Sequence, residues 1–298
     1  MHGLFAPFLP FRSPLRAHFG ACGADCSKTR PLWHRFLRFR DTAILDGVSY
    51  CRPACLQDAL LERLTRLCNQ KHAPAPPNRM PLGLLMVARG TLSYAEVLVA
   101  LGAQRRAGEG RIGEWIEKLG FASEDSVTAA LGIQWGCPVT ISLQPESIPP
   151  SHQLPFSILE TFCMVPLHYI SSTDTLVIAF GERVDHAALY AIGSILKCNT
   201  QPCAGGRKHV TQCIESLRRQ GRFRDFEFGP TNDSAEMARI SASYIGKFGA
   251  EEARLERVGS ILWLRLRARS AYANLTFHLR ADDLQPWTSN TAIIAKRS

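Results

Sequence analysis

The chain has 298 residues, 46% of them hydrophobic and 20% charged, a balance typical of a globular protein with room for two or three cores. No apolar run approaches the ~18 residues a membrane-spanning helix needs, and Thr175 to Phe180 is among the longest. The net charge of +9 favours anionic partners such as phosphates, nucleic acid or a lipid surface, without choosing among them.

In chain order, residues 1–72 read as a Cys-containing basic segment ending in a helix over Leu56 to Cys68. Its first stretch is broken by Pro7, Pro10 and Pro14 and has no basic residues ahead of its apolar part. It lacks the order of a signal peptide, so the expected location is the cytoplasm. Arg12, Arg16, Lys28, Arg30, Arg35, Arg38 and Arg40 give the arm its charge.

Ten cysteines without an export signal read as thiols or metal ligands and not as a disulfide framework. Cys22 and Cys26 form one C-x3-C pair, and Cys51 and Cys55 a second, placed directly before the predicted helix. Ligand pairs two to four residues apart are the spacing of structural Zn2+ sites, and four thiolates close a tetrahedron. The arrangement resembles a treble-clef zinc knuckle, and a metal would explain how so small a segment holds a fold. The other reading is a solvated basic arm with reduced thiols. Cys68, Cys137, Cys163, Cys198, Cys203 and Cys213 read as small hydrophobes.

Residues 73–80 are a Pro-rich linker. Then a 24-residue pattern occurs twice, from Pro81 to Gln104 and from Arg111 to Gln134. Eight positions are identical: Gly83/Gly113, Gly90/Gly120, Ser93/Ser123, Val97/Val127, Ala100/Ala130, Leu101/Leu131, Gly102/Gly132 and Gln104/Gln134. Chance gives roughly one or two, so 81–134 is a tandem duplication. Each copy predicts two short helices, with Gly90 or Gly120 as the stop and Ser93 or Ser123 as the next cap.

Residues 135–220 predict an α/β unit: a strand near Val139 to Ile141, a helix near Pro155 to Phe162 and strands Met164 to Ile170 and Thr175 to Phe180. A helix over Val184 to Leu196, a strand near Thr200 to Cys203 and a helix over Arg207 to Gln220 complete it. Residues 221–233 read as a linker. Residues 234–282 form a small α+β module, with a helix over Ser234 to Phe248 and three strand-like runs, and 283–298 read as a loose tail. The fold class expected is α+β.

The motif residues Leu82, Gly83, Gly90, Leu101 and Gln104, repeated as Arg111, Ile112, Gly113, Gly120, Leu131 and Gln134, resemble the double motif of MshEN domains. These are the N-terminal domains of type II secretion and type IV pilus assembly ATPases, the GspE N-terminal-like family. The resemblance spans about 81–220 and implies binding of cyclic di-GMP, whose two phosphates and two guanines suit two similar units. It also implies a secretion or pilus assembly ATPase, or a second copy of the chain, as partner. An Arg suits phosphate or a guanine edge, a Gly allows close backbone approach, Leu and Ile meet flat purines, and a Gln amide both donates and accepts. The first copy departs from the pattern in carrying Pro81 where the Arg belongs, and Arg79 is the nearest substitute.

The module at 234–282 loosely resembles the small domain that precedes the motor of those ATPases, yet no G-x-x-x-x-G-K-[ST] occurs in the sequence. No H-E-x-x-H, G-x-S-x-G or carboxylate pair suggests another enzyme. The residues point to a non-enzymatic sensor or adaptor, with two alternatives: an interaction scaffold with a degenerate nucleotide pocket, or a zinc-dependent nucleic-acid binder.

Overall fold

The computed structural model describes residues 22–24, 43–70, 80–140, 148–220, 224–269 and 271–280. The α+β class is observed. No helix among the described residues is long and apolar enough to cross a membrane. The Pro-rich stretch, the tail after Asp282 and the strand residue Ile141 lie outside the described residues; Val139 makes an isolated parallel bridge to Ala204.

Near the N-terminus, β1 (Ala43–Leu45) and β2 (Val48–Tyr50) form a hairpin. Its two turn residues, Asp46 and Gly47, both have positive φ, 49° and 85°, which is the backbone a tight Asp-Gly hairpin requires. Helix α1 (Pro53–Cys68) follows, opening one turn earlier than expected because Pro53 is preset for the first helical position.

The duplicated region folds as α2 (Leu82–Ala88), α3 (Tyr94–Ala107), α4 (Ile112–Lys118) and α5 (Glu124–Trp135) around its own core of Leu82, Met86, Val97, Ala100, Ile116, Val127 and Ala130. Next come α6 (Phe156–Thr161), β3 (Met164–Ile170), β4 (Thr175–Phe180), α7 (His186–Leu196), β5 (Asn199–Ala204) and α8 (Arg207–Gln220). Strand β4 is central, antiparallel to β3 and parallel to β5. Its unbroken apolar run, with Leu176 to Phe180 all buried, is what a strand covered on both faces needs.

Within 221–233, the stretch read as a linker, lies β6 (Asp225–Phe228). Helix α9 (Ser234–Phe248) starts at Asp233, whose Oδ1 accepts from the amides of Ala235 and Glu236 at 2.9 and 3.1 Å. It stops at Gly249, in the left-handed region. Strands β7 (Glu252–Val258), β8 (Ile261–Ala268) and β9 (Ala271–His278) then form a meander.

That meander is the centre of a six-stranded sheet in the order β2-β1-β7-β8-β9-β6. Strand β1 joins it parallel to β7, so the segment after the first cysteines and the C-terminal module share one sheet. They also share one core: Leu56, Leu60, Leu64 and Leu67 of α1 pack with Met237 and Ile245 of α9 over Leu255, Leu262, Leu264 and Leu275. The other face of β8 presents Ile261 and Trp263 to the α/β core of Phe180, Ile192 and Ile195. A strand that alternates between two cores must be apolar on both sides, and Ile261 to Leu264 are all fully buried.

Polar groups fasten the layers. The Arg257 guanidinium donates to the carbonyls of Leu67, Cys68 and Gln70, closing the C-terminal end of α1. Arg265, 5% exposed, donates to the carbonyls of Pro150 and Gln153 and to Asn274 Oδ1, and burial lowers its pKa to about 10.

Candidate functional site

The two copies of the repeat build the same local structure from the same residues. Gly90 and Gly120 end α2 and α4 with left-handed φ of 71° and 73°. The following amides, of Thr91 and Phe121, reach back to the carbonyls of Met86 and Ile116, each at 3.0 Å. This closure satisfies terminal carbonyls and requires a residue without a Cβ penalty.

Ser93 caps α3 in a full capping box: its Oγ accepts from the Glu96 amide at 3.2 Å, and Glu96 Oε2 accepts from the Ser93 amide at 2.7 Å. The hydrogen bond from the Ser93 backbone holds the Glu96 carboxyl below its ordinary pKa. Ser123 caps α5 through the Ser126 amide at 3.3 Å.

Gly83 and Gly113 are buried, and their missing side chains are occupied by neighbours. A Cβ on Gly83 would lie 2.8 Å from Val97 Cγ1, and one on Gly113 would lie 3.0 Å from Val127 Cγ1. Both glycine and valine are duplicated, so this is the contact that closes the first helix of each copy onto its second.

The glutamines work between copies. Gln104 Nε2 donates to the Gly110 carbonyl at 2.8 Å, just ahead of Arg111. Gln134 Nε2 donates to the Met80 carbonyl at 2.7 Å, just ahead of Pro81. Each copy therefore holds the head of the other, in a reciprocal clasp.

Leu82 is buried, Ile112, Leu101 and Leu131 are half-buried, and Gly90, Gly120 and Arg111 are exposed. Arg79 lies outside the described residues.

Arg111 is 54% exposed and ion-paired with Glu182, in the loop between β4 and α7. Glu182 also accepts from Arg207 at 3.0 Å, and Arg207 pairs in turn with Glu114. Beside them Lys208 Nζ lies 3.3 Å from Glu117, and the Lys208 amide donates to Glu124 Oε1 at 3.1 Å. That last bond places a carboxylate at the N-terminal end of α8, where the helix dipole favours it. Sequence reasoning missed Glu182, Arg207 and Lys208. Their only signal was charge at the two ends of loops that a folded α/β unit brings to one edge.

Three of the four cysteines expected to bind metal come together. The Sγ atoms of Cys22, Cys51 and Cys55 all lie within 4.8 Å of one another, an arrangement able to hold a metal ion. Cys26 lies outside the described residues. The thiols of Cys203 and Cys198 differ in kind: burial pushes them up to about 12 and about 11, which keeps them protonated at neutral pH.

No protein-family model and no curated protein sequence matches the chain. Among solved structures, the chain is similar to MshE with c-di-GMP at 26% identity and a TM-score of 0.39, over 46% of this chain and 99% of that one. It is also similar to the N-terminal domain of XpsE at 17% identity and a TM-score of 0.34, over 45% of this chain and 91% of that one. A second crystal form of the same XpsE domain gives 20% identity and a TM-score of 0.29, over 47% and 98%.

Proposed function

We propose that the duplicated helices form a two-part cradle for c-di-GMP, and that the chain is a non-enzymatic cytoplasmic sensor or adaptor. The observation that carries this reading is the reciprocal glutamine clasp. Two matching bonds, from Gln104 and Gln134, hold the heads of the two copies, at Gly110 and Met80. A ligand made of two equal halves then meets two units of the same backbone scaffold.

In this reading Arg111 is the phosphate or guanine anchor, and its exposure leaves it within reach of solvent-borne ligand. Glu182 pairs with the guanidinium, so ligand and Glu182 compete for it. A change in that ion pair would pass to Arg207 and the α/β half, giving a partner something to read. The partner class is a secretion or pilus assembly ATPase or a second copy of the chain.

One set of observations favours a second reading, a scaffold that needs no ligand. Gly83 and Gly113 and both duplicated glutamines have internal partners. Calorimetric titration of the full chain with c-di-GMP separates the two. The cradle predicts saturable heat at or below about 100 μM ligand, reduced at least about tenfold in affinity by Arg111→Ala. A flat titration at that concentration, or an Arg111→Ala variant that binds as the parent does, supports the scaffold.

A further inference from the structure

We infer that Cys22, Cys51 and Cys55 are ligands of one structural zinc ion, and that this ion fastens the N-terminal hairpin to the C-terminal sheet. The site is independent of the dinucleotide cradle.

The geometry is that of a thiolate site. Cys51 and Cys55 Sγ are 3.9 Å apart, against about 3.8 Å for two sulfurs each 2.3 Å from zinc in a tetrahedron. The third sulfur, of Cys22, falls within the same 4.8 Å sphere although 28 residues separate it from Cys51. Its strand of chain is held there by backbone: the Gly23 amide donates to the Ser49 carbonyl at 3.1 Å. A Cβ on Gly23 would lie 2.3 Å from Val48 Cγ1 and 3.2 Å from the Tyr50 ring, so the glycine sits flush on β2 and brings its neighbour Cys22 to the other two thiols.

Cys51 and Cys55 flank the start of α1, where unpaired amides and the helix dipole favour thiolates over thiols. Soft sulfur donors select zinc among divalent ions of ordinary abundance, and the three thiols supply three of the four ligands a structural site takes.

The consequence follows from what the site touches. Strand β2 and the first turn of α1 both carry ligands or their supports, and β1 next to them adds to β7 through Ile44 N to Glu251 O at 3.1 Å and Asp46 N to Ala253 O at 2.9 Å. A cross-link among the Cys22 loop, the hairpin and α1 removes freedom from the unfolded segment and so holds an edge strand pair of only three residues each in place.

The test uses the full chain, purified without chelator, with metal content measured by mass spectrometry. The expected result is about one zinc per chain, retained in a Cys213→Ser control and lost from Cys22→Ser and Cys51→Ser. Cobalt added to stripped wild-type protein is expected to give the strong visible d–d and thiolate charge-transfer bands of a tetrahedral site, which reads out the site even if a variant misfolds. Hydrogen exchange supplies the second arm: stripping zinc is expected to speed exchange at Ile44 and Asp46 at least about tenfold. No bound zinc with no cobalt bands, or a Cys51–Cys55 disulfide in the metal-free protein under reducing conditions, overturns the site. Zinc bound with unchanged exchange at Ile44 and Asp46 overturns the fastening role alone.

Discussion

The two copies of the repeat have the same scaffold and different surroundings. Copy two is tied to the α/β half through Arg111, Glu114, Glu117 and Glu124, which meet Glu182, Arg207 and Lys208. Copy one has Pro81 at its head and, along its helices, exposed apolar side chains that include Leu84, Tyr94 and Leu98. What is identical between the copies is what closes a helix pair: the Gly–Val contact, the left-handed glycine stop, the serine cap and the glutamine clasp. What differs is what the pair faces. Duplication therefore preserved a fold unit, while the residue at its head differs, Pro81 in copy one and Arg111 in copy two.

The scaffold side of the comparison is broken most severely at its buried centre. Met86 and Ile116 occupy the same place in the two copies and are both fully buried. Met86→Ala and Ile116→Ala are each expected to cost about 3 kcal/mol in denaturant unfolding, with similar values for the two. Very unequal costs would show that the copies are not equivalent.

The functional side is sharpened by restoring the missing anchor. Pro81→Arg is expected to tighten c-di-GMP binding by about ten- to hundredfold in calorimetry, since it adds a guanidinium where copy one has none. An unchanged affinity would mean that the head of copy one does not face the ligand.

The clasp is next in size. Gln104→Ala and Gln134→Ala each remove one neutral hydrogen bond and are expected to lower stability by about 1 kcal/mol, measured by chemical denaturation. Smallest is the ionic tether. Glu182→Gln releases Arg111 and is expected to raise c-di-GMP affinity by about two- to fivefold while costing less than about 1 kcal/mol of stability. A lower affinity would mean that Glu182 positions Arg111 for the ligand instead of competing for it.

Local signals in the sequence carried most of the elements. The helix over Ser234–Phe248 and the strands Met164–Ile170 and Thr175–Phe180 fall where periodicity and capping residues place them. The β1–β2 hairpin was legible and was passed over: Asp46-Gly47 between Ala-Ile-Leu and Val-Ser-Tyr is a hairpin turn signal, but it sits in a segment whose charge and cysteines suggested an arm. Strand β6 was hidden because Asp225–Phe228 is short and carries two acids, and it joins the sheet by pairing with the distant β9.

Partners were less legible than elements. Nothing local says that Ile44 will lie beside Glu252, or Leu60 and Leu64 beside Met237, because those contacts span most of the chain. The same holds for the candidate site. The motif residues were visible by self-comparison, whereas the role of Gly83 as the space for Val97, and the link from Arg111 to Glu182, depend on how helices and loops meet. Of the two spaced cysteine pairs, Cys22, Cys51 and Cys55 lie together and Cys26 is outside the described residues; the structure adds how Gly23, packed against β2, delivers Cys22 to the pair at α1.

The proposed cradle requires both copies to contact one dinucleotide. Glycine-selective amide NMR of the full chain during c-di-GMP titration tests it most directly, because Gly83 and Gly113, and Gly90 and Gly120, are matched reporters in the two copies. The account predicts that both members of each pair shift together along one saturation curve. Shifts confined to Gly113 and Gly120, or no shift in any of the four, would contradict it.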